Sequence, residues 1–145
     1  MERPGIYDLG TATITAAVTD SVITDGVSAA GVAQELIDRL EGMASATLYC
    51  EFVYGSGGTT CAVIVQTSIN QGGDWIDVCR FDFTTANASK TSNLSAEAAA
   101  AVAAVAALSV EGKVDGVLGD RLRAKVTSTG TYAGNTSVSV RAAVR

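Results

Sequence analysis

A chain of 145 residues is long enough for one domain with a real core and leaves little room for two. The net charge is −5 and the ten basic residues are scattered, so the chain lacks the basic stripe that binding to nucleic acid requires. Binding to a bare membrane surface is disfavoured for the same reason. Histidine is absent, which excludes Ser-His-Asp and Cys-His catalysis and removes the commonest metal ligand.

The first ten residues contain the single proline of the chain and two of its glycines, and they predict an extended arm. Ile6, Tyr7 and Leu9 are apolar side chains within this arm. Because a monomer gains little by exposing such side chains to water, we expect all three to make assembly contacts with a neighbouring subunit. The predicted domain organisation is therefore an arm over residues 1–10 and a single β-sandwich domain over residues 11–145.

The next stretch contains one predicted strand and one ambiguous segment. Ile14 and Val18, among Thr and Ala, indicate a strand, and a turn is expected around Asp25 and Gly26. Residues 32–40 fit one apolar face of a helix and fit strand alternation equally well, so both interpretations stay open.

The middle of the chain predicts three strands in succession. Residues 46–55 alternate between two faces, as a half-buried strand does. Residues 59–68 are apolar on both sides, as expected of a strand that is buried on both faces. Residues 75–84 place Trp75 and Cys79 on the same face. The short turns between these segments predict an antiparallel meander of three neighbouring strands.

The turn "TSINQGGDW" is close to the Asp-box of sialidase-type propellers, Ser-x-Asp-x-Gly-x-x-Trp, with Asn70 in place of the aspartate. A propeller needs several blades of about 40 residues, and the box occurs once here, so we interpret it as a structural turn. Ser68 begins the motif, and the Asn70 side chain is expected to bond backbone amides two residues on. Gly72 and Gly73 supply positive φ, and Trp75 packs back on the turn as a core residue rather than as a sugar platform.

Residues 96–108 are almost entirely alanine and valine. Alanine is the best helix former, which predicts a short surface helix, although a sheet environment can override this propensity and strand stays open. The segment carries almost no charge after Glu97, so it would need a cover.

The C-terminal part predicts two more strands. Residues 119–132 alternate Leu and Val with Arg121, Arg123 and Lys125, which indicates a half-buried strand with a basic outer face. The last predicted strand follows a turn at Gly134 and runs to the chain end, which ties the C-terminus into a sheet. Six to eight strands at close spacing predict an all-β fold, an antiparallel and jelly-roll-like β-sandwich with the N-terminal arm and one short Ala-rich helix.

Candidate catalytic and metal-binding residues lack partners. Cys50, Cys61 and Cys79 have no spacing suited to zinc, and we interpret them as buried free thiols, with a Cys61–Cys79 bridge left open. Asp77 and Asp82 alternate to opposite faces of one strand, so they do not form a glycosidase pair. We therefore predict no catalytic residue, no cofactor and no metal. No secretory signal is recognisable in the first 25 residues, which favours synthesis in a reducing cytoplasm.

Two blocks of the sequence, residues 41–86 and 116–140, carry a specific pattern: "YGSGG", then "VQTS" with "GG" and "W" shortly after it, then "GDRLR" and "TGTY". In this pattern the chain resembles small β-rich structural proteins of tailed bacteriophages and prophages. The resemblance covers about half of the chain. It implies a non-enzymatic structural protein of the virion, assembled in the host cytoplasm.

Among virion proteins, the leading expectation is a head decoration (cement) protein that lies over junctions between capsid subunits. Its partners would be the major capsid protein or other virion proteins, together with copies of itself, and a trimer is favoured. Only 17% of the residues are charged, which is typical of a surface that a partner covers in part. The alternatives are a neck or tail component, such as a terminator or a tube-associated protein, and a glycan-binding adhesion module. Neither nucleic acid nor membrane is an expected partner.

Overall fold

The computed structural model describes residues 4–24, 26–27, 33–34, 40 and 42–145. This part of the chain contains strands and loops and no helix. In chain order the strands are β1 (Gly5–Thr13), β2 (Ser21–Val22), β3 (Gly26–Val27), β4 (Ala33–Gln34), β5 (Ser45–Val53), β6 (Ser56–Gly57), β7 (Thr60–Ser68), β8 (Ile76–Phe83), β9 (Ala88–Ser95), β10 (Gly112–Lys113), β11 (Arg121–Thr129), β12 (Tyr132–Ala133) and β13 (Ser137–Val144).

The long strands form two antiparallel sheets. The six-stranded sheet has the order β4-β3-β1-β13-β5-β9, and the five-stranded sheet has the order β10-β8-β7-β11-β2. A small ribbon of β6 and β12 lies beside them. The two sheets pack face to face around one core, so the predicted all-β sandwich is confirmed. The jelly-roll connectivity stays a prediction, because this strand order does not establish it.

The core forms where the inward residues of the two sheets meet. In β5 every second residue is buried, and β11 shows the same period from Leu122 to Ser128. The Phe52 ring from one sheet stacks on Phe83 from the other at 5.0 Å between centroids. Tyr132 meets Phe52 edge-on at 5.8 Å, and its hydroxyl donates to the Thr84 carbonyl at 2.7 Å. The aromatic side chains thus join the sheets at one end of the sandwich.

Strand β7 is buried along its length, as its apolar sequence predicted. All residues from Cys61 to Ser68 are buried, including those that face outward from the sandwich. Outward-facing Ile64 lies opposite Arg80 on one side and Lys125 on the other. Long basic side chains beside an apolar residue can shield it with their aliphatic stems while their charged ends remain near water, which accounts for the 7% exposure of Ile64.

The predicted three-strand meander is wrong. Strands β7 and β8 do form a hairpin, but β5 lies between β13 and β9 in the other sheet. The chain passes from one sheet to the other between Val53 and Thr60, where a short turn would have been expected to keep the strands adjacent. Alternation shows that a strand is half-buried, but it carries no information on which strand lies beside it.

The predicted N-terminal arm is also wrong. Strand β1 lies in the six-stranded sheet between β13 and β3, so the boundary expected after residue 10 does not exist. Tyr7 and Leu9 are buried core residues with exposed fractions of 0% and 2%, and only Ile6, at 67%, faces solvent. Pro4 precedes the strand, where its missing N–H breaks no ladder bond. Gly10 sits at a bulge with φ 117° and is compatible with the strand for that reason.

The Ala-rich segment is not a helix. Residues 99–109 have no regular secondary structure, and nearly all of them are exposed. Helix propensity favours a helix only weakly when no apolar face can pack on the core, which is the case here.

Three other segments differ from the predictions or lie partly outside the described residues. The strand expected around Ile14 and Val18 ends earlier, at Thr13, and Ile14 packs into the core just after it. Within residues 32–40, Ala33–Gln34 is a strand, and the rest of this ambiguous segment, apart from residue 40, lies outside the described residues, as does Asp25. Strand β9, rich in Ser, Thr and Asn, was not predicted.

Candidate assembly surface

The Asp-box-like turn joins β7 to β8 and is built from side chains that bond backbone amides. The Ser68 hydroxyl accepts from the Gly72 amide at 2.8 Å, and Asn70 Oδ1 accepts from the Asp74 amide at 2.8 Å. Asn70 Nδ2 also donates to the Asp74 carboxylate at 2.7 Å. The sequence predicted this use of Asn70, but the bond reaches four residues on instead of two.

The positive φ angles of this turn fall at Gln71 (59°) and Gly72 (88°). The expected pair was Gly72 and Gly73. Gly73 instead lies close to the Asn70 side chain, and its amide donates to the Asn70 carbonyl at 3.2 Å. The motif therefore works as a structural turn with its left-handed residues one position earlier.

Trp75 lies on the outer face of the five-stranded sheet, not in the core. The Arg123 guanidinium covers its ring at 4.1 Å from the centroid, and the side chain is half-buried. The ladder between β7 and β8 shifts between Val65 and Gln66, so that Val65 faces Cys79 while Gln66 faces Asp77. This bulge adds one residue to β8, which turns Trp75 away from the face that it would otherwise share with Cys79.

A chain of hydrogen bonds runs across this outer face. Arg123 Nε donates to Gln66 Oε1 at 2.8 Å, and Gln66 Nε2 donates to Asp77 Oδ1 at 2.6 Å. The other carboxylate oxygen of Asp77 accepts from the Leu108 amide at 3.0 Å. Gln66 and Asp77 are buried, and each is satisfied by its neighbours in the chain.

This network fixes one end of a loop that we call the Ala-rich loop, residues 96–111. Besides the Asp77 bond, the Leu108 carbonyl accepts from Arg80 Nη1 at 2.9 Å. Further along, the Glu111 carboxylate accepts from Lys90 Nζ at 2.6 Å and from the Asp82 amide at 2.8 Å. The bond from the Asp82 amide, and after it the bond from Lys90, hold the pKa of Glu111 below its ordinary value of 4.5.

The other end of the Ala-rich loop is held next to β9. The Ser95 amide donates to Asp115 Oδ1 at 2.9 Å, and the Ser95 carbonyl accepts from the Gly116 amide at 2.7 Å. The Ala96 amide donates to the Ala44 carbonyl at 2.8 Å. The loop therefore leaves and rejoins the sandwich at firmly bonded positions.

Between these anchors the loop is apolar and uncovered. Every residue from 97 to 107 is exposed, with Val102 at 105% and Val105 at 71% of full exposure. Within the described part of the chain, no hydrogen bond involves the backbone of residues 99–107. A pocket of about 510 Å³ lies between the loop and the sheet, and it is lined by the loop and by residues that include Ile76, Val114 and Val117.

The three predicted assembly contacts do not form a surface patch, since Tyr7 and Leu9 are buried and Ile6 is the only one of the three that is exposed. The Ala-rich loop is the larger exposed apolar feature. Its sequence did contain a signal, namely a long run without charge that needs a cover. The high helix propensity of alanine led instead to the prediction of a surface helix.

The cysteines are buried free thiols, as predicted. Cys61 faces Phe83 and Cys79 faces Val65 across the β7–β8 ladder, so the open alternative of a Cys61–Cys79 bridge is wrong. Burial raises the pKa of all three thiols, that of Cys61 to about 12. In the described ranges no three Cys, Asp or Glu side chains come together as a metal site would require.

Neither the known protein families nor the curated proteins include a match to this chain. The described residues also contain no helix that is long and apolar enough to cross a membrane.

Proposed function

We propose that this chain is a non-enzymatic structural protein of a tailed-bacteriophage particle, a head decoration (cement) protein bound over the junctions between subunits of the major capsid protein. The observation that carries the proposal is the Ala-rich loop, an apolar surface held in place at both ends and left uncovered within the chain. A surface of this kind marks a contact with a partner.

The energetic argument rests on the area of this loop. Covering apolar surface releases about 25 cal/mol per Å², and the anchors at Ser95 and Leu108 lower the ordering cost that a free loop would incur on docking. Repeated over many symmetric copies, even a weak contact stiffens a shell. A catalytic role would not explain why an alanine-rich segment is kept exposed to water, whereas a contact with a partner does.

The resemblance to virion proteins supports the same class. Its two blocks contain the Asp-box-like turn, the β7–β8 hairpin, β11 and the first half of β13. Strand β8 in the first block carries Asp77 and Arg80, which bond Leu108 of the loop. The loop itself matches the pattern less well. We infer that a common scaffold presents a contact segment that differs between proteins of this kind.

The adhesion alternative is less favoured, because Arg123 covers one face of the Trp75 ring that a sugar would need.

The position on the particle is tested by gold labelling. An antibody against this chain, applied to tailed particles from the organism that encodes it, is expected to label heads at many sites. Label confined to the neck or tail would select the alternative, and particles without label would contradict a virion role.

A further inference from the structure

We propose that residues 99–108 of the Ala-rich loop pair with the same segment of a second copy of this chain, antiparallel and around a two-fold axis. This inference deepens the proposed function, since it rests on the loop being an assembly surface. It also proposes a dimer in place of the trimer that was favoured from the sequence, and a contact through the loop in place of one through the N-terminal arm, which is strand β1 of the chain's own sheet.

The first argument is the unpaired backbone. Residues 99–107 make no backbone hydrogen bond to any other described residue, although both ends of the loop are anchored. If apolar side chains alone docked on a partner, these amides and carbonyls would lose water without gaining partners, which is costly. Pairing with another extended segment supplies the missing donors and acceptors at the moment of burial.

The second argument is the symmetry of the sequence. Residues 100–107 read Ala-Ala-Val-Ala-Ala-Val-Ala-Ala, which is the same in both directions. An antiparallel two-fold pairing centred between Ala103 and Ala104 places Val102 of each copy opposite Val105 of the other, and every alanine within residues 100–107 opposite an alanine. A contact around a two-fold axis must be self-complementary in this way.

The third argument is charge. No charged residue lies between Glu97 and Glu111, so two such segments meet without like-charge repulsion. In the pairing described above, Glu97 falls opposite Val110 and not opposite another carboxylate. The same freedom from charge makes a strongly basic or acidic partner a poor fit.

The fourth argument is area. Ten extended residues reach about 33 Å, and a segment about 10 Å thick that buries half of its circumference covers roughly 500 Å². The two facing segments together bury roughly 1,000 Å², which is about the lower limit for a specific interface. Stable dimers bury about 1,200–2,000 Å² in total, so the paired segments supply most of the area and the residues that flank them supply the rest.

The test measures self-association of the purified full chain by sedimentation velocity over a range of concentrations. Wild type is expected to form dimers. The double variant Val102→Asp/Val105→Asp should dimerise about 100-fold more weakly or not at all, because four carboxylates would have to be buried together. Val53→Asp is the matched control, since Val53 is an exposed valine at 42% on β5 of the other sheet, and it should dimerise as wild type does.

Cysteine cross-linking checks the register. The native thiols are buried and do not compete. Under mild oxidation, a mixture of Val102→Cys and Val105→Cys chains should form the mixed disulfide dimer faster than either variant alone. Equal rates in all three samples would contradict the two-fold register.

Two results would overturn the inference itself: a wild-type chain that stays monomeric, or a Val102→Asp/Val105→Asp variant that dimerises as wild type does. Both are independent of particle labelling. Dimers through the loop without label on particles would leave this inference standing and contradict the virion role. Labelled particles together with a monomeric chain would support the virion role and contradict this inference.

Discussion

At the scale of single residues, Asn70 shows how one atom sets the chemistry of a turn. Its Oδ1 accepts from the Asp74 amide, and its Nδ2 donates to the Asp74 carboxylate. An aspartate would supply the first bond but not the second. The residue that departs from the Asp-box is therefore the one that this turn requires.

We predict that Asn70→Asp destabilises the chain by about 1–3 kcal/mol near neutral pH, because the new carboxylate faces that of Asp74. Urea unfolding measures the change. Lowering the pH towards 4 should recover part of the loss, and so should the second substitution in Asn70→Asp/Asp74→Asn. If Asn70→Asp is as stable as wild type at pH 7, the donated bond contributes nothing.

At the scale of elements, strand β1 and the Ala-rich loop both differ from the structures that their sequences predict. The N-terminal segment looks like a mobile arm but lies in the six-stranded sheet, with Tyr7 and Leu9 in the core. The Ala-rich loop looks like a helix but lies uncovered outside the sandwich. Their different burial leads to opposite predictions for substitutions in the two elements.

For β1 we predict that Leu9→Ala lowers the free energy of unfolding by about 2–5 kcal/mol, since it leaves a cavity in the core. Ile6→Ala, three residues away and 67% exposed, should change it by less than about 0.5 kcal/mol. Thermal or urea unfolding of both variants provides the comparison. Similar small effects at the two positions would restore the interpretation of this segment as an arm.

For the Ala-rich loop we predict that Asp77→Ala frees its second anchor. The substitution leaves the Leu108 amide and Gln66 Nε2 without an acceptor, so amide exchange at Leu108, followed by NMR, should be faster. Stability should fall by about 1–3 kcal/mol. Glu51→Ala, a carboxylate on the other sheet, is the control and should leave exchange at Leu108 unchanged. Unaltered exchange in Asp77→Ala would show that the Arg80 bond to the Leu108 carbonyl is enough to hold this end of the loop.

At the scale of the whole molecule, a sandwich of low charge keeps its ionisable core groups neutral. Cys50, Cys61 and Cys79 lie within one core, and burial raises the pKa of each. The unfolded chain releases these protons near the ordinary thiol value of 9.0, while folded Cys61 holds its proton up to about 12. Stability is therefore fully present below pH 9 and is lost as the pH rises through this window.

We predict a fall of up to about 1.4 kcal/mol per pH unit for each thiol above pH 9. Urea midpoints measured at pH 8, 9 and 10 give the slope, and Cys61→Ala should have a shallower one. A thiol reagent at pH 8 should find no reactive group in the native protein and three after denaturation. Stability that stays constant from pH 8 to 10 would show that the thiols are solvated.

Local pattern by itself determined much of this protein. Burial of β7 on both faces, the half-buried β11 with its basic outer side, the C-terminal strand and the bonded turn at Asn70 all follow from residues close together in the chain. Alternation and turn chemistry act over a few residues, so they can be read without knowing the partner strands. The sandwich class follows from the number and spacing of such strands.

Only the tertiary structure decided which strands are neighbours and which apolar residues are covered. Strand β5 pairs with β13, about 90 residues later in the chain, and a bulge between Val65 and Gln66 moves Trp75 to the outer face. Tyr7 is buried because β13 and β3 flank its strand, while Val102 is exposed because no other part of the described chain lies over it. Whether a residue is buried depends on which other parts of the chain pack against it. A hydrophobic pattern shows only that a residue is more stable when it is buried.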